Sequence, residues 1–175
     1  MKKLFYIPLM LFFAAVGLVA CGEDKGEDGA KPSQTMEAAL QGTYAGTWSV
    51  FSADELSADA NAAALATAAG TATFTANGGV NNGHSANVAF DGSALTGDAN
   101  YPVKGTAVVN GSINGDVALF NTATFTLEGF TPDDRNTIGG FSGKLSGSTI
   151  TLVFTKAKTG RGGYNYVYKF EGARQ

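Results

Sequence analysis

Residues Gln41–Phe51 read QGTYAGTWSVF. Side chains alternate along a strand, so Tyr44, Gly46, Trp48 and Val50 share one face, and Thr43, Ala45, Thr47 and Ser49 share the other. The first face is apolar and carries the only tryptophan; the second is small and hydroxylated. A strand of this kind packs on one side and meets water on the other, as antiparallel sheets allow. The two-residue period returns downstream between Gly, Asn and Asp punctuation. It predicts strands over Gly70–Ala76, His84–Phe90, Pro102–Val109, Ser112–Phe120, Asn121–Phe130, Ile138–Leu145, Ser148–Lys156 and Gly163–Gly172. Asn110-Gly111 is expected to be a hairpin turn between two of them. The pattern amounts to about eight or nine antiparallel strands in meander order, an all-β barrel or sandwich. Ala53–Ala69 breaks the pattern. It is Ala-rich, lacks Gly and Pro, and follows Ser52, which can cap a helix with Glu55 three residues on. It predicts one short helix or a loop after the first strand.

Upstream, Lys2 and Lys3 precede an apolar run, Leu4–Val19, that is short for a span of ~20 residues. A positive start followed by such a run matches a secretory signal. The run ends in Leu18-Val19-Ala20-Cys21, which resembles the lipobox of bacterial lipoproteins. That resemblance implies cleavage before Cys21 and acylation of its thiol. Cys21 is the only cysteine, so an intramolecular disulfide is excluded. One acyl chain binds a bilayer marginally, at ~0.8 kcal/mol per buried CH₂, and two or three would hold the protein there.

Gly22–Glu37, GEDKGEDGAKPSQTME, is charged and without apolar period, the composition of a flexible linker. The expected organisation is a signal peptide over residues 1–20, acylated cysteine and acidic tether over 21–37, and a β domain over 38–175. The acidic block after Cys21 resembles signals that send some lipoproteins to the outer face of the outer membrane. Gly22 stands where the inner-membrane retention residue would be Asp. The expected location is therefore the outer membrane, with its periplasmic or external face left open.

From Cys21 onward there are 10 Lys/Arg against 15 Asp/Glu, an acidic balance that argues against nucleic acid as a partner. The charge is uneven: the segment from Lys144 onward holds six basic residues and one acid, Glu171. TATFT occurs at Thr71–Thr75 and again at Thr122–Thr126, either a duplicated hairpin or coincidence in a Thr/Ala/Gly-rich chain.

Gly46-Thr47-Trp48 resembles the Gly-x-Trp signature of lipocalins and other calycins. The chain as a whole is similar to calycin-like lipoproteins of Gram-negative bacteria. In that family the tryptophan closes the barrel base under an arginine that follows the last strand, a position that Arg174 matches. The resemblance implies Trp48 at the closed end with Arg174 over its ring. The lipocalin Thr-Asp-Tyr signature is absent.

Tyr164, Tyr166, Tyr168 and Phe170 share one face of the last strand. Such a ladder stacks on a flat ligand or a sugar, or it is core. Trp48, Tyr164, Tyr166 and Tyr168 are therefore the candidate ligand-binding residues, and Cys21 the lipidation site. Asp133-Asp134 beside Asn136 suits Ca²⁺ or an ordinary turn. His84 is the only histidine, so no His-based metal site or triad can form. Neither enzyme chemistry nor a cofactor is expected. Two classes stay open. One is a membrane-anchored barrel that binds a small apolar or amphipathic ligand or simply packs shut. The other is a surface-displayed protein- or glycan-interaction module. A cavity would favour the first, and a filled barrel with exposed aromatics the second.

Overall fold

The computed structural model of the protein describes residues 34–175. The expected signal peptide, Cys21 and most of the tether lie outside these residues.

The first element is a short helix, α1 (Met36–Leu40), capped by Thr35, whose Oγ1 accepts from Ala38 N. Met36 and Leu40 are fully buried, so the end of the expected tether belongs to the domain. The first strand, β1 (Gly42–Ser52), turns Tyr44, Trp48 and Val50 inward as its alternation requires. Ser52 caps a second helix, α2 (Ala53–Ala58), through its Oγ to Glu55 N. The helix expected over Ala53–Ala69 stops there. Ala66–Ala69 joins β2 (Ala66–Ala76) instead and pairs with β1. Tertiary context overrides alanine's helix propensity here. Ala68 lies opposite Trp48, where a small side chain leaves room for the indole.

The remaining strands are β3 (Ser85–Gly92), β4 (Val103–Asn114), β5 (Val117–Thr122), β6 (Phe125–Leu127), β7 (Asn136–Ile138), β8 (Phe141–Ser146), β9 (Thr149–Lys158) and β10 (Tyr164–Arg174). All pair antiparallel, and β10 returns to β1 to close the sheet. Two strand positions are broken. β5 and β6 both pair with β4, with the register slipping by one residue between them. β7 and β8 do the same along β9. One extra residue in one strand is a β-bulge. The fold is thus an all-β, closed eight-strand antiparallel barrel, with two positions split into segments and a short helix after the first strand. It is compatible with a calycin-like fold.

Asn110-Gly111 is not a turn. Both residues lie inside β4, and Gly111 is there for another reason: a Cβ would sit 2.0 Å from the Leu119 carbonyl oxygen. The hairpin comes at Gly115-Asp116, with Gly115 at φ 61° and Asp116 not at positive φ, the pattern of a II′ rather than a I′ turn. The TATFT copies also fall on unlike sites. One lies inside continuous β2; the other straddles the bulge between β5 and β6. They are an odd number of strand positions apart. Such a shift reverses strand direction but not the order around the barrel, so the two hairpins cannot be superposed. Duplication of one hairpin does not account for them.

Aromatic rings fill the interior. Trp48 sits at mid-height against Phe90, Phe154 and Phe170, with centroids 5.6, 5.9 and 5.1 Å away. Its indole lies so close to Gly70 and Gly92 that a Cβ at either would meet the ring at 3.0 Å or less. Nε1 of Trp48 is the only buried side-chain N or O without a partner among the described residues.

Candidate functional site

The barrel has two ends, built differently. At the first, α1 lies across the opening and meets β2, β3, β4 and β5. Tyr44 Oη donates to the Leu40 carbonyl at 3.0 Å. Arg174 Nε and Nη2 donate to Tyr44 Oη at 3.2 and 2.6 Å, and Nη2 also reaches the Ala39 carbonyl. The guanidinium stands 5.3 Å from the Tyr44 centroid. The expectation of Arg174 over Trp48 is therefore corrected. Register pairs Tyr44 with Arg174 and Trp48 with Phe170, so the cation meets the tyrosine four residues earlier. Trp48 is mid-core, not basal.

At the second end the wall is split. β6 pairs only with β4, and β7 only with β9. Phe125, Phe130 and Ile138 flank this split, half-buried. The β3–β4 loop, residues 93–102, reaches across the barrel to β9 and β10. Leu95 enters the core at 1% exposure. The Asn100 carbonyl accepts from Lys156 Nζ at 3.0 Å and from Tyr168 Oη at 2.5 Å. Asp98 holds the loop's own turn, accepting from Asn100 N and Nδ2 at 2.8 and 2.6 Å. Tyr166 Oη donates to Asp98 Oδ2 at 3.4 Å.

The tyrosine ladder divides between core and mouth. Tyr168 is fully buried and stacked on Phe154 at 4.8 Å. Tyr164 and Tyr166 are half-exposed and stack on each other at 4.9 Å, with Tyr101 edge-on to Tyr166 at 5.2 Å. Trp48 is not part of this group: it has no exposed surface. Of the four ligand candidates, the structure gathers Tyr164 and Tyr166 at an accessible rim, sets Tyr168 beneath them, and withdraws Trp48. Cys21 lies outside the described residues.

Sequence reading missed Lys156, Asp98, Asn100, Tyr101 and Phe130. Lys156 had left a signal. Ile150, Leu152, Phe154 and Lys156 alternate onto one inward face, so a lysine closes an apolar series. The others sit in loops whose reach across the barrel no local pattern encodes.

Electrostatics follow the burial. Lys156 is 7% exposed, and desolvation holds its ammonium below the ordinary lysine value, with Asp98 pulling back only in part. Burial, then the Asp98 charge, pushes the Tyr166 phenol up to about 12. Burial raises Tyr164 and Tyr168 as well. Hydrogen bonds from Asn100 hold Asp98 low.

Asp133 is spent on its loop, with Oδ1 accepting from Arg135 N and Asn136 N at 2.7 Å each. No group of three His, Cys, Asp or Glu suited to a metal occurs among the described residues. A separate depression of about 510 Å³ lies on the outer wall over β2, β3, β4 and β6. Thr73, Thr75, Ala89, Thr106 and Val108 line it, and it has no charged group to orient a ligand. The mouth, with its stacked rings, carboxylate and ammonium, is the better-equipped surface. No family model matches the chain, and neither the curated proteins nor the solved structures yield a significant match.

Proposed function

We propose that the protein is a membrane-anchored bacterial lipoprotein whose calycin-like barrel binds a small amphipathic ligand at its split mouth. The observation that carries this reading is the half-exposed Tyr164–Tyr166 stack beside Asp98 and Lys156, above an interior already filled with rings. Flat apolar surface with a few convergent polar groups is what small-molecule sites offer. The filled core with half-exposed rings is the arrangement expected of a surface interaction module and counts against a ligand held inside the barrel, so the small-ligand reading is kept for the rim alone, where the polar groups converge. The lipobox ending in Cys21 and the acidic segment after it support attachment to the outer membrane. No catalytic role is proposed.

Native mass spectrometry of the protein purified from its cells tests the binding reading. A co-purifying small molecule is expected, and Tyr164→Ala with Tyr166→Ala should remove it. A ligand-free protein, or a ligand indifferent to both substitutions, would refute rim binding. Cys21→Ser should release the protein from the membrane fraction. Unchanged partition into detergent would refute the anchor.

A further inference from the structure

Lys156 is a buried charge with no direct ion pair among the described residues; the nearest opposing charge acting on it is Asp98, on the loop above. Its residue exposure is 7%, and the two side-chain ion pairs among the described residues, Lys104–Glu128 and Lys169–Glu171, lie elsewhere. An ammonium has three N–H donors. The structure supplies one acceptor, the neutral Asn100 carbonyl at 3.0 Å. The rings of Phe130 and Tyr164, at 5.2 and 5.7 Å from Nζ, supply the rest of its environment. Burying a cation this way is costly unless something pairs with it. Lys156 also lies at the split: its register partner on β7 is Ile138, and β7 does not pair with β6, which bonds only to β4. The ammonium thus lies at the end where β6 and β7 do not pair, flanked by the faces of two rings.

We infer that Lys156 makes the mouth an anion site, and that its ligand is a ring that presents an apolar face and carries a carboxylate. This deepens the rim-binding reading and rests on it. The carboxylate takes the place of the Asn100 carbonyl on Nζ, and the ring lies against Tyr164 and Phe130. Residues 93–102 then act as a built-in competitor. Asn100 offers Nζ an oxygen, and Asp98 on the same loop supplies the only charge that favours its ammonium form. Displacing the loop removes the carboxylate that would repel the ligand. The recognition is of ring plus carboxylate, which an aromatic acid and a sugar acid share.

Calorimetric titration of the full-length protein with four probes separates the possibilities: 2-naphthoate, its neutral isostere 2-naphthamide, glucuronate and glucose. At least one acid should bind about tenfold more tightly than its neutral counterpart, the scale expected of one desolvated charge pair. Which acid does so identifies the source of the ring. Lys156→Met should bring acid and neutral probe to within about twofold of each other. Unchanged Trp48 emission certifies the fold of the variant. In wild type, the Lys156 Nζ resonance should move with the acid and stay still with the neutral probe, a readout that needs no variant. Equal binding of acid and neutral probes, with both lost in Tyr164→Ala, would overturn the anion inference and leave rim binding standing. A preference that survives Lys156→Met would also overturn it. No binding by any probe would overturn the inference as stated, while ligand capture from cells would still judge rim binding separately.

Discussion

The α1 end and the split end are closed by different means. At the α1 end the sheet is continuously paired and the plug is apolar: Met36 and Leu40 are fully buried, and Arg174 ties Tyr44 and Ala39 across the β1–β10 junction. At the split end two neighbouring strands part, and a loop holds itself down by one leucine, Leu95, and two donors on one carbonyl. The first end spends its polar groups on its own backbone. The second uses a lysine and a carboxylate to hold one loop and leaves two rings half-exposed. On the proposed reading, stability and recognition fall to opposite ends of the same strands.

The comparison breaks first if the floor shared by both ends is not structural. Trp48→Ala should destabilise the barrel by about 3–5 kcal/mol, because removing a buried aromatic side chain leaves a cavity its neighbours only partly fill. Aqueous acrylamide should quench wild-type Trp48 weakly. Strong quenching with a near-neutral alanine variant would return Trp48 to the ligand surface.

A matched pair sharpens it. Leu40→Ala and Leu95→Ala delete the same atoms from sites of nearly equal burial. Leu40→Ala should cost about 2–4 kcal/mol of global stability, and Leu95→Ala about 1–2, because a loop collapses into a vacancy more readily than a helix under a closed sheet. Amide exchange should quicken across residues 93–101 in the second variant and globally in the first. Equal global losses would erase the distinction between the ends. Arg174→Ala is smaller again, about 1–2 kcal/mol, since charged hydrogen bonds are lost at a partly exposed site. Chemical denaturation measures all of these.

Much of this contrast was legible beforehand, and the reason is periodicity. The Tyr44–Val50 alternation states which side chains face in, but the count of such strands suits a sandwich as well as a barrel, and closure shows only in the β1–β10 pairing. Turn chemistry was less transferable. Asn110-Gly111 carries a hairpin's residues yet serves a close strand approach, because Gly is needed both for positive φ and for absent Cβ. The tyrosine ladder announced itself, but its division into core and rim depends on where the wall opens. Lys156 could be seen only by its parity with Ile150, Leu152 and Phe154. Asp98 and Asn100 act through a loop that crosses the barrel, which no neighbouring residue specifies.

The weakest expected effect lies in alkaline titration of the split end, where two signs oppose. Lys156 has its folded value below 10.5, so folding gains stability as pH rises from that value towards 10.5. Tyr166 has its folded value near 12 against 10.0, so its contribution is whole below pH 10 and is lost as pH rises through 12. Thermal midpoints should therefore rise and then fall across this range. Lys156→Met should remove the rise and keep the fall. A rise that persists in the variant would assign it to another group.

The β1–β10 junction has a consequence for how the barrel assembles. Every other seam joins neighbouring positions of the meander, even where β5 pairs with β8 past the short β6 and β7, whereas Tyr44 and Arg174 are 130 residues apart. Bringing such distant segments together carries the largest loop-closure entropy in the sheet. Loop-closure entropy alone predicts that hairpins zip locally and that the seam shuts last, after the rate-limiting barrier. On that order Arg174→Ala should speed unfolding and leave the folding rate nearly unchanged, and a slowed folding rate would contradict it.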